Sequence, residues 1–219
     1  KYGGWYPAVQ QYLRPDGKRW IGLGLGAAGS MIVYRKSQVE AAGFKEFPKD
    51  TAGFLALHKA LKEKGTPGGY ALGNATGDSL WTNWLMWSHG GKLVDKSNKV
   101  VINSPETLKA LEYGKELYPN FAPGTLSWLD PNNNKAFLDG QIAVTNNGIS
   151  IYVAAKNSQD PKVKEMAADI HHANFPVGPV GVPTESHLFF NQMVMKYTKY
   201  PNAAKEFLRF MMEREQFDN

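Results

Sequence analysis

The chain has 219 residues, of which 42% are hydrophobic and 21% charged, a balance that excludes disorder and fits one large domain or two small lobes. Its formal charge of +5 comes from scattered basic residues, densest at Lys59-Lys62-Lys64 and Lys196-Lys199, so nucleic acid is not an expected partner. With no cysteine there is no thiol chemistry, disulfide or zinc–thiolate site, and no apolar run reaches the ~18 residues of a membrane span.

The opening Lys1-Tyr2-Gly3-Gly4-Trp5 is polar and aromatic and has no secretory pattern. Both ends read as cut, which is expected of a mature or trimmed chain. A turn at Pro15-Asp16-Gly17 leads into an expected strand Arg19–Leu23, and Met31–Tyr34 gives a second, β-branched strand. A short helix over Ser37–Ala42 ends at Gly43. Pro48-Lys49-Asp50-Thr51 then opens a helix whose Phe54, Leu57 and Leu61 recur at helical spacing as far as Gly65. Tyr70-Ala71-Leu72 reads as a short strand. Asp78-Ser79 is expected to cap a helix through His89, closed by Gly90-Gly91.

Val100-Val101-Ile102 reads as a small strand, and Ser104 caps a helix from Pro105 to about Tyr118. A helix is expected over Asn132–Leu138, stopping at Asp139-Gly140, then a strand Ile142–Thr145. That strand delivers Asn146, Asn147 and Gly148 at its tip, with Ile149-Ser150-Ile151-Tyr152 behind. Amides and an exposed backbone at a strand tip present hydrogen-bonding groups to a small polar ligand without any catalytic group. A helix over Asp160–Ala168, a strand Phe190–Lys196 and a helix Asn202–Glu213 complete the alternation. No internal repeat interrupts it, and the pattern is that of an α/β fold.

Several motifs suggest catalysis without completing it. Gly24-Leu25-Gly26-Ala27-Ala28-Gly29 matches a dinucleotide fingerprint, but Ser30–Tyr34 follows as a strand where a helix N-terminus should hold the pyrophosphate. The glycines are read instead as a connection passing close to another segment, and no cofactor is expected. His171-His172 beside Asp169 would point to opposite faces of an extended segment, so a surface pair is expected and no metal site. Asp78, Asp130, Asp139 and Glu185 could supply a glycosidase pair, but sequence sets no separation between them. No Gly-x-Ser-x-Gly elbow accompanies a serine nucleophile. An α/β enzyme, dinucleotide-dependent or a glycoside hydrolase, stands as the alternative reading.

The aromatic residues are more informative. Trp81, Trp84 and Trp87 recur every three residues along one helix. Trp84 and Trp87 are expected in the core. Trp81, near the helix start beside Asp78, is expected on a cleft rim, with Asn83 on the same helix. An indole stacked on a sugar ring, with carboxylate and amide groups taking the hydroxyls, is how proteins hold carbohydrate.

The order of motifs adds a resemblance. Ile32-Val33-Tyr34-Arg35-Lys36, Ala42-Gly43-Phe44 and Phe47-Pro48-Lys49-Asp50-Thr51 are followed by Trp84-Leu85-Met86-Trp87-Ser88-His89-Gly90-Gly91 and Ala136–Val144. Then come Phe175-Pro176-Val177-Gly178-Pro179 and Ala203–Phe210. Across nearly the whole chain this resembles the family-1 extracellular solute-binding proteins of bacterial ABC importers, the family of maltose-binding protein. Members usually carry a further N-terminal βα segment and a C-terminal helical tail, so the chain resembles a central part of such a protein.

The resemblance implies a two-lobe, hinge-bending α/β receptor that captures a sugar, polyol or short oligosaccharide in an inter-lobe cleft. Residues 1–26 would belong to the N-lobe and first crossing, the crossing itself running over Gly22–Gly26. Residues 27–180 would form the C-lobe, 181–188 the return crossing, and 189–219 would rejoin the N-lobe. It implies a periplasmic or extracellular monomer, membrane-associated through ABC permease subunits and without catalysis. The ligand contacts expected on this basis and on the residues above are Ser30, Asp78, Trp81, Asn83, Asn147, Gly148, Ser150, Tyr152, Glu185 and His187.

Overall fold

The computed structural model describes residues 5–73 and 79–217. In chain order these form α1 (Pro7–Leu13), β1 (Leu23–Gly29), β2 (Met31–Arg35), α2 (Lys36–Ala41), α3 (Thr51–Glu63) and α4 (Ser79–Ser88). There follow α5 (Pro105–Leu117), α6 (Asp130–Leu138), β3 (Val144–Asn147), α7 (Ser150–Lys156), α8 (Pro161–Met166) and β4 (Ile170–Ala173). The last elements are β5 (His187–Gln192), α9 (Pro201–Met211) and α10 (Arg214–Phe217). The mixture of helices and strands is that of an α/β protein. The chain divides into a larger unit, Gly29–Ser186, and a smaller one made of Lys1–Ala28 and His187–Asn219, so it passes twice from one to the other.

The larger unit is built on β2. This strand lies between β3 and β4, antiparallel to both, with Ile32 opposite Asn146 on one side and Ala173 on the other. Successive side chains of a strand point to opposite faces, and here both faces are covered. Ile32 joins a core with Phe54, Leu57 and Leu61 of α3, Trp81 and Trp84 of α4, and Leu117 of α5. Val33 joins a second core with Ala136 and Phe137 of α6 and Ile151 and Ala155 of α7. A continuous apolar run in β2 is therefore the pattern of a central strand with helices on each side.

α3 and α5 start where the sequence placed helix starts, the second with its expected cap. Asp50 accepts from the Gly53 amide at 2.7 Å at the start of α3. Ser104 accepts from the Thr107 amide at 3.2 Å at the start of α5, with Pro105 in its first turn. Caps of this kind stabilise by about 1 kcal/mol each. At the end of α6, Gly140 takes φ +75°, a left-handed conformation open to glycine without a Cβ penalty, and the chain turns into the approach to β3. Whether Asp78 caps α4 lies outside the described residues.

Several strands move. β3 begins at Val144, two residues later than expected, and β5 begins at His187, three earlier. Tyr70–Leu72 and Val100–Ile102 form no ladder. Single bridges, Gly68 to Val144 and to Phe121, and Val94 to Val100, stand near them. α1, α7 and β4 were not expected. Ile149, Ile151 and Val153 are β-branched, yet the chain is helical here: Asn147 Oδ1 takes the Gly148 amide at 2.7 Å and the Ser150 hydroxyl at 3.0 Å just before α7, and Ile151 and Ala155 of the helix are buried in the second core. Tertiary packing of that face outweighs the β-branched propensity.

In the smaller unit, Val9 and Leu13 of α1 are buried, and β1 and β5 form a two-stranded sheet. The strand expected at Arg19–Leu23 instead runs from Leu23 through the glycines to Gly29. Pairing decides this: a Cβ on Gly22 would lie 2.7 Å from the Gln192 carbonyl oxygen, so only glycine admits that approach. Among the described residues no helix is long and apolar enough to cross a membrane.

Candidate ligand-binding site

The antiparallel register brings three chain segments to one end of the larger unit's sheet. β2 starts there at Met31, β3 ends there at Asn147, and β4 ends there at Ala173. Ser30 therefore lies centrally, with Asn146-Asn147-Gly148 on one flank and Asn174 on the other. The return segment closes the group, since the Ser30 amide donates to the Ser186 carbonyl at 3.3 Å.

Neutral hydrogen-bonding groups dominate this end. Asn146 Nδ2 donates to the buried Ser30 hydroxyl at 3.4 Å, and Asn146 Oδ1 has no partner among the described residues. Asn147 Nδ2 donates to Asn134 Oδ1, while Asn147 Oδ1 holds Gly148 and Ser150 as described above. Asn133, 3% exposed, donates to Thr145 Oγ1 at 3.0 Å and to the Asn146 carbonyl at 2.9 Å. Its Oδ1 is buried and without a hydrogen bond. Two side chains of α6 thus fix the tip of β3.

Beyond the tip, Ile149 and Ser150 are exposed, and Tyr152 is half-buried against the second core with the Lys156 ammonium 5.9 Å from its ring centroid. Beside the end of β4 lies a largely apolar cavity of about 340 Å³, lined by Phe47, Pro48, Lys49, Ala173, Asn174, Phe175, Val177 and Pro183.

The structure therefore gathers Ser30, Asn147, Gly148 and Ser150 into one bonded cluster and adds Asn146. It also adds Asn133, Asn134 and Asn174, which the sequence reading missed. The run Asn132-Asn133-Asn134 carried a signal, because three amides of poor helix propensity inside a helix imply a role outside it. Asn83 is half-buried on α4. Glu185 is exposed on the return segment of the larger unit, and His187 is exposed at the first position of β5 in the smaller one. Asp78 lies outside the described residues.

Trp81 is a correction. Its indole is 3% exposed and packs on Tyr70 at 5.2 Å, Trp84 at 5.7 Å and Phe121 at 5.7 Å. A ring enclosed this way has no free face for a sugar. Trp84 is fully buried, as expected, and its Nε1 donates to the Pro176 carbonyl at 3.0 Å. Trp87, expected in the core, is only half-buried. A spacing of three drifts around a helix of 3.6 residues per turn, so the core claims the first two indoles and the third leaves it.

The motifs that suggested enzymes resolve differently. The segment from Gly24 to Gly29 is strand β1, and it runs on into β2 with no helix N-terminus after it. His171 and His172 alternate along β4, the first exposed and the second half-buried. Among the described residues no group of three His, Cys, Asp or Glu side chains could hold a metal ion.

Comparison with known proteins identifies the class. Residues 1–219 match the family of bacterial extracellular solute-binding proteins, and the chain belongs to that family. Over 229 residues it is 27% identical to the Escherichia coli protein named as ABC transporter periplasmic-binding protein YcjN, covering 99% of this chain and 48% of that one. Maltose-bound MalE3 of T. maritima superposes with a TM-score of 0.83 at 21% identity, covering 99% of this chain and 56% of that one. An ABC transporter solute-binding protein of Agrobacterium vitis with bound D-mannitol superposes with a TM-score of 0.75 at 22% identity, covering 96% and 51%. The chain spans about half the length of the curated relatives it matches.

Proposed function

We propose that this chain is the ligand-holding part of a substrate-binding component of an ABC importer, and that it takes a sugar, polyol or short oligosaccharide. The observation that carries the reading is the sheet end at Ser30, where Asn146, Asn147 and Gly148 converge with the Ser150 hydroxyl. These groups are uncharged and offer both donors and acceptors, which suits a polyhydroxy ligand better than an ion. The proteins of similar fold with bound maltose and D-mannitol support the same ligand class.

Asn83, Tyr152, Glu185 and His187 are further proposed contacts. A carboxylate and an imidazole on the return crossing would add charge-assisted hydrogen bonds to hydroxyls. The two crossings, at residues 22–26 and 181–188, are proposed as the hinge of a receptor that closes on its ligand and passes it to membrane permease subunits. We propose a periplasmic or extracellular monomer and no chemical step. A thermal-shift screen of carbohydrates and polyols on the full-length protein tests the reading: a saturable rise in Tm without consumption of the compound supports it, and turnover or a flat response across the library contradicts it.

A further inference from the structure

The walls of the cavity beside the end of β4 are held from behind. The buried Phe47 ring packs on Tyr34 at 4.7 Å and on Phe54 at 6.1 Å, and the buried Phe175 ring packs on Trp84 at 5.3 Å. The backbone is tied as well, since the Thr51 amide donates to the Val177 carbonyl at 3.1 Å and the Val177 amide to the Lys49 carbonyl at 2.8 Å. Side chains pinned in this way do not collapse to fill the space between them. Its volume of about 340 Å³ exceeds the roughly 150 Å³ that admits a benzene ring. The lining also decides what can enter. Apart from Lys49 and Asn174, every lining residue is apolar. Lys49 keeps its ammonium at the surface, 3.6 Å from the Glu46 carboxylate. A hydroxyl placed against such a lining loses its water without a replacement partner, so an uncharged apolar group fits best.

Two connections join this cavity to the polar sheet end. Asn174 lines the cavity and also follows the last residue of β4, on the flank of Ser30. Pro183 lines the cavity too, and Ser186 on the same segment accepts from the Ser30 amide at 3.3 Å. Strands of a sheet lie about 4.8 Å apart, so about 10 Å separates Asn146 on β3 from the end of β4 across β2. A sugar ring that carries one further ring spans that distance. We propose that the cavity is an apolar subsite of the same binding site, and that the ligand is a glycoside: its sugar lies at Ser30, Asn146 and Asn147, and its apolar aglycone fills the cavity. The proposal rests on the carbohydrate reading given above and narrows it. The second ring of a plain disaccharide would carry hydroxyls into the apolar lining. An aromatic or short alkyl aglycone would not, and its transfer out of water adds affinity with the area buried.

The test is calorimetric titration of the full-length protein with methyl and phenyl glycosides of glucose, galactose, mannose and xylose in both anomers, with maltose and cellobiose beside them. For a sugar that binds, the phenyl glycoside is expected to bind about tenfold tighter than the methyl one, or more. Val177→Phe, which fills the cavity from its own wall, is expected to bring the two to parity. Propyl and butyl glycosides give a readout that needs no variant, with affinity expected to rise stepwise as the chain lengthens. Equal affinity for methyl and phenyl forms overturns the proposal, and so does a preference that Val177→Phe leaves intact. A disaccharide that gains as much as the phenyl compound also overturns it, and each of these results leaves the carbohydrate reading standing. If no glycoside or disaccharide binds, the proposal falls, and the reading beneath it falls only if the carbohydrate and polyol screen is flat as well.

Discussion

The buried amide of Asn133 donates to Thr145 Oγ1 at 3.0 Å, joining α6 to β3 immediately before the strand tip that carries Asn146 and Asn147. The same nitrogen reaches the Asn146 carbonyl at 2.9 Å, so with Asn134 on Asn147 it holds the end of the strand in position. Pre-organisation of that tip is what a binding site needs, because groups already held in place lose little freedom when ligand arrives.

Replacing Asn133 with Ala leaves the Thr145 hydroxyl and a strand carbonyl without their partner. The expected cost is about 1–3 kcal/mol of unfolding free energy, measured by urea denaturation. A loss below about 0.5 kcal/mol, the level of an ordinary surface change, would show that the clamp is not required.

The tryptophans of α4 should separate by burial and not by position in the sequence. Trp81→Ala and Trp84→Ala are each expected to cost about 3–5 kcal/mol, because both remove a large ring from a packed aromatic core. Trp87→Ala should cost clearly less, its ring being half-buried. Thermal unfolding of the three variants checks the order, and a Trp87 loss equal to that of Trp84 would contradict it.

His58 should make the fold acid-sensitive. Its ring is fully buried, Nδ1 lies 2.9 Å from the Phe54 carbonyl and Nε2 2.9 Å from the Tyr70 hydroxyl. Burial pulls its pKa from 6.5 down to about 4, against the raising effect of the Phe54 carbonyl. The unfolded chain then binds the proton more readily than the folded one. Stability from this group is complete above pH 6.5 and falls as pH drops toward about 4, by about 3 kcal/mol in all. Tm measured from pH 7 to pH 4 in wild type and His58→Gln should show a shallower acid slope in the variant. Equal slopes would remove His58 as the cause.

Much of the fold was legible because local signals and packing agree. Ser104 caps the helix it was expected to cap, α3 starts within the expected Pro48–Thr51 run, β2 is the β-branched strand, and Gly140 ends α6. What was not legible depends on distant partners. β1 runs through glycines because β5 lies against it, and α7 packs Ile151 and Ala155 into a core whose other members come from distant segments. In the site, Asn147 and Gly148 could be read as a polar tip behind an apolar strand. Asn133 and Asn134 showed only as amides out of place in a helix, and not what they hold, since their role lies in reaching from α6 to β3. Asn174 joins the group only through antiparallel register, which periodicity does not set. Trp81 failed for a related reason: a helix start can be read from sequence, but which indole the core encloses cannot.

The central claim is that the sheet end at Asn146 holds an uncharged polyhydroxy ligand, and calorimetric titration of the full-length protein tests it most directly. The titrants are the compounds that raise Tm in the carbohydrate and polyol screen, with maltose and mannitol included in every case. The account predicts saturable binding of at least one of them that Asn146→Ala weakens by tenfold or more, about 1.4 kcal/mol, with Tm of the unliganded variant close to wild type. Binding that Asn146→Ala leaves unchanged, or no binding by any neutral sugar or polyol, would contradict it.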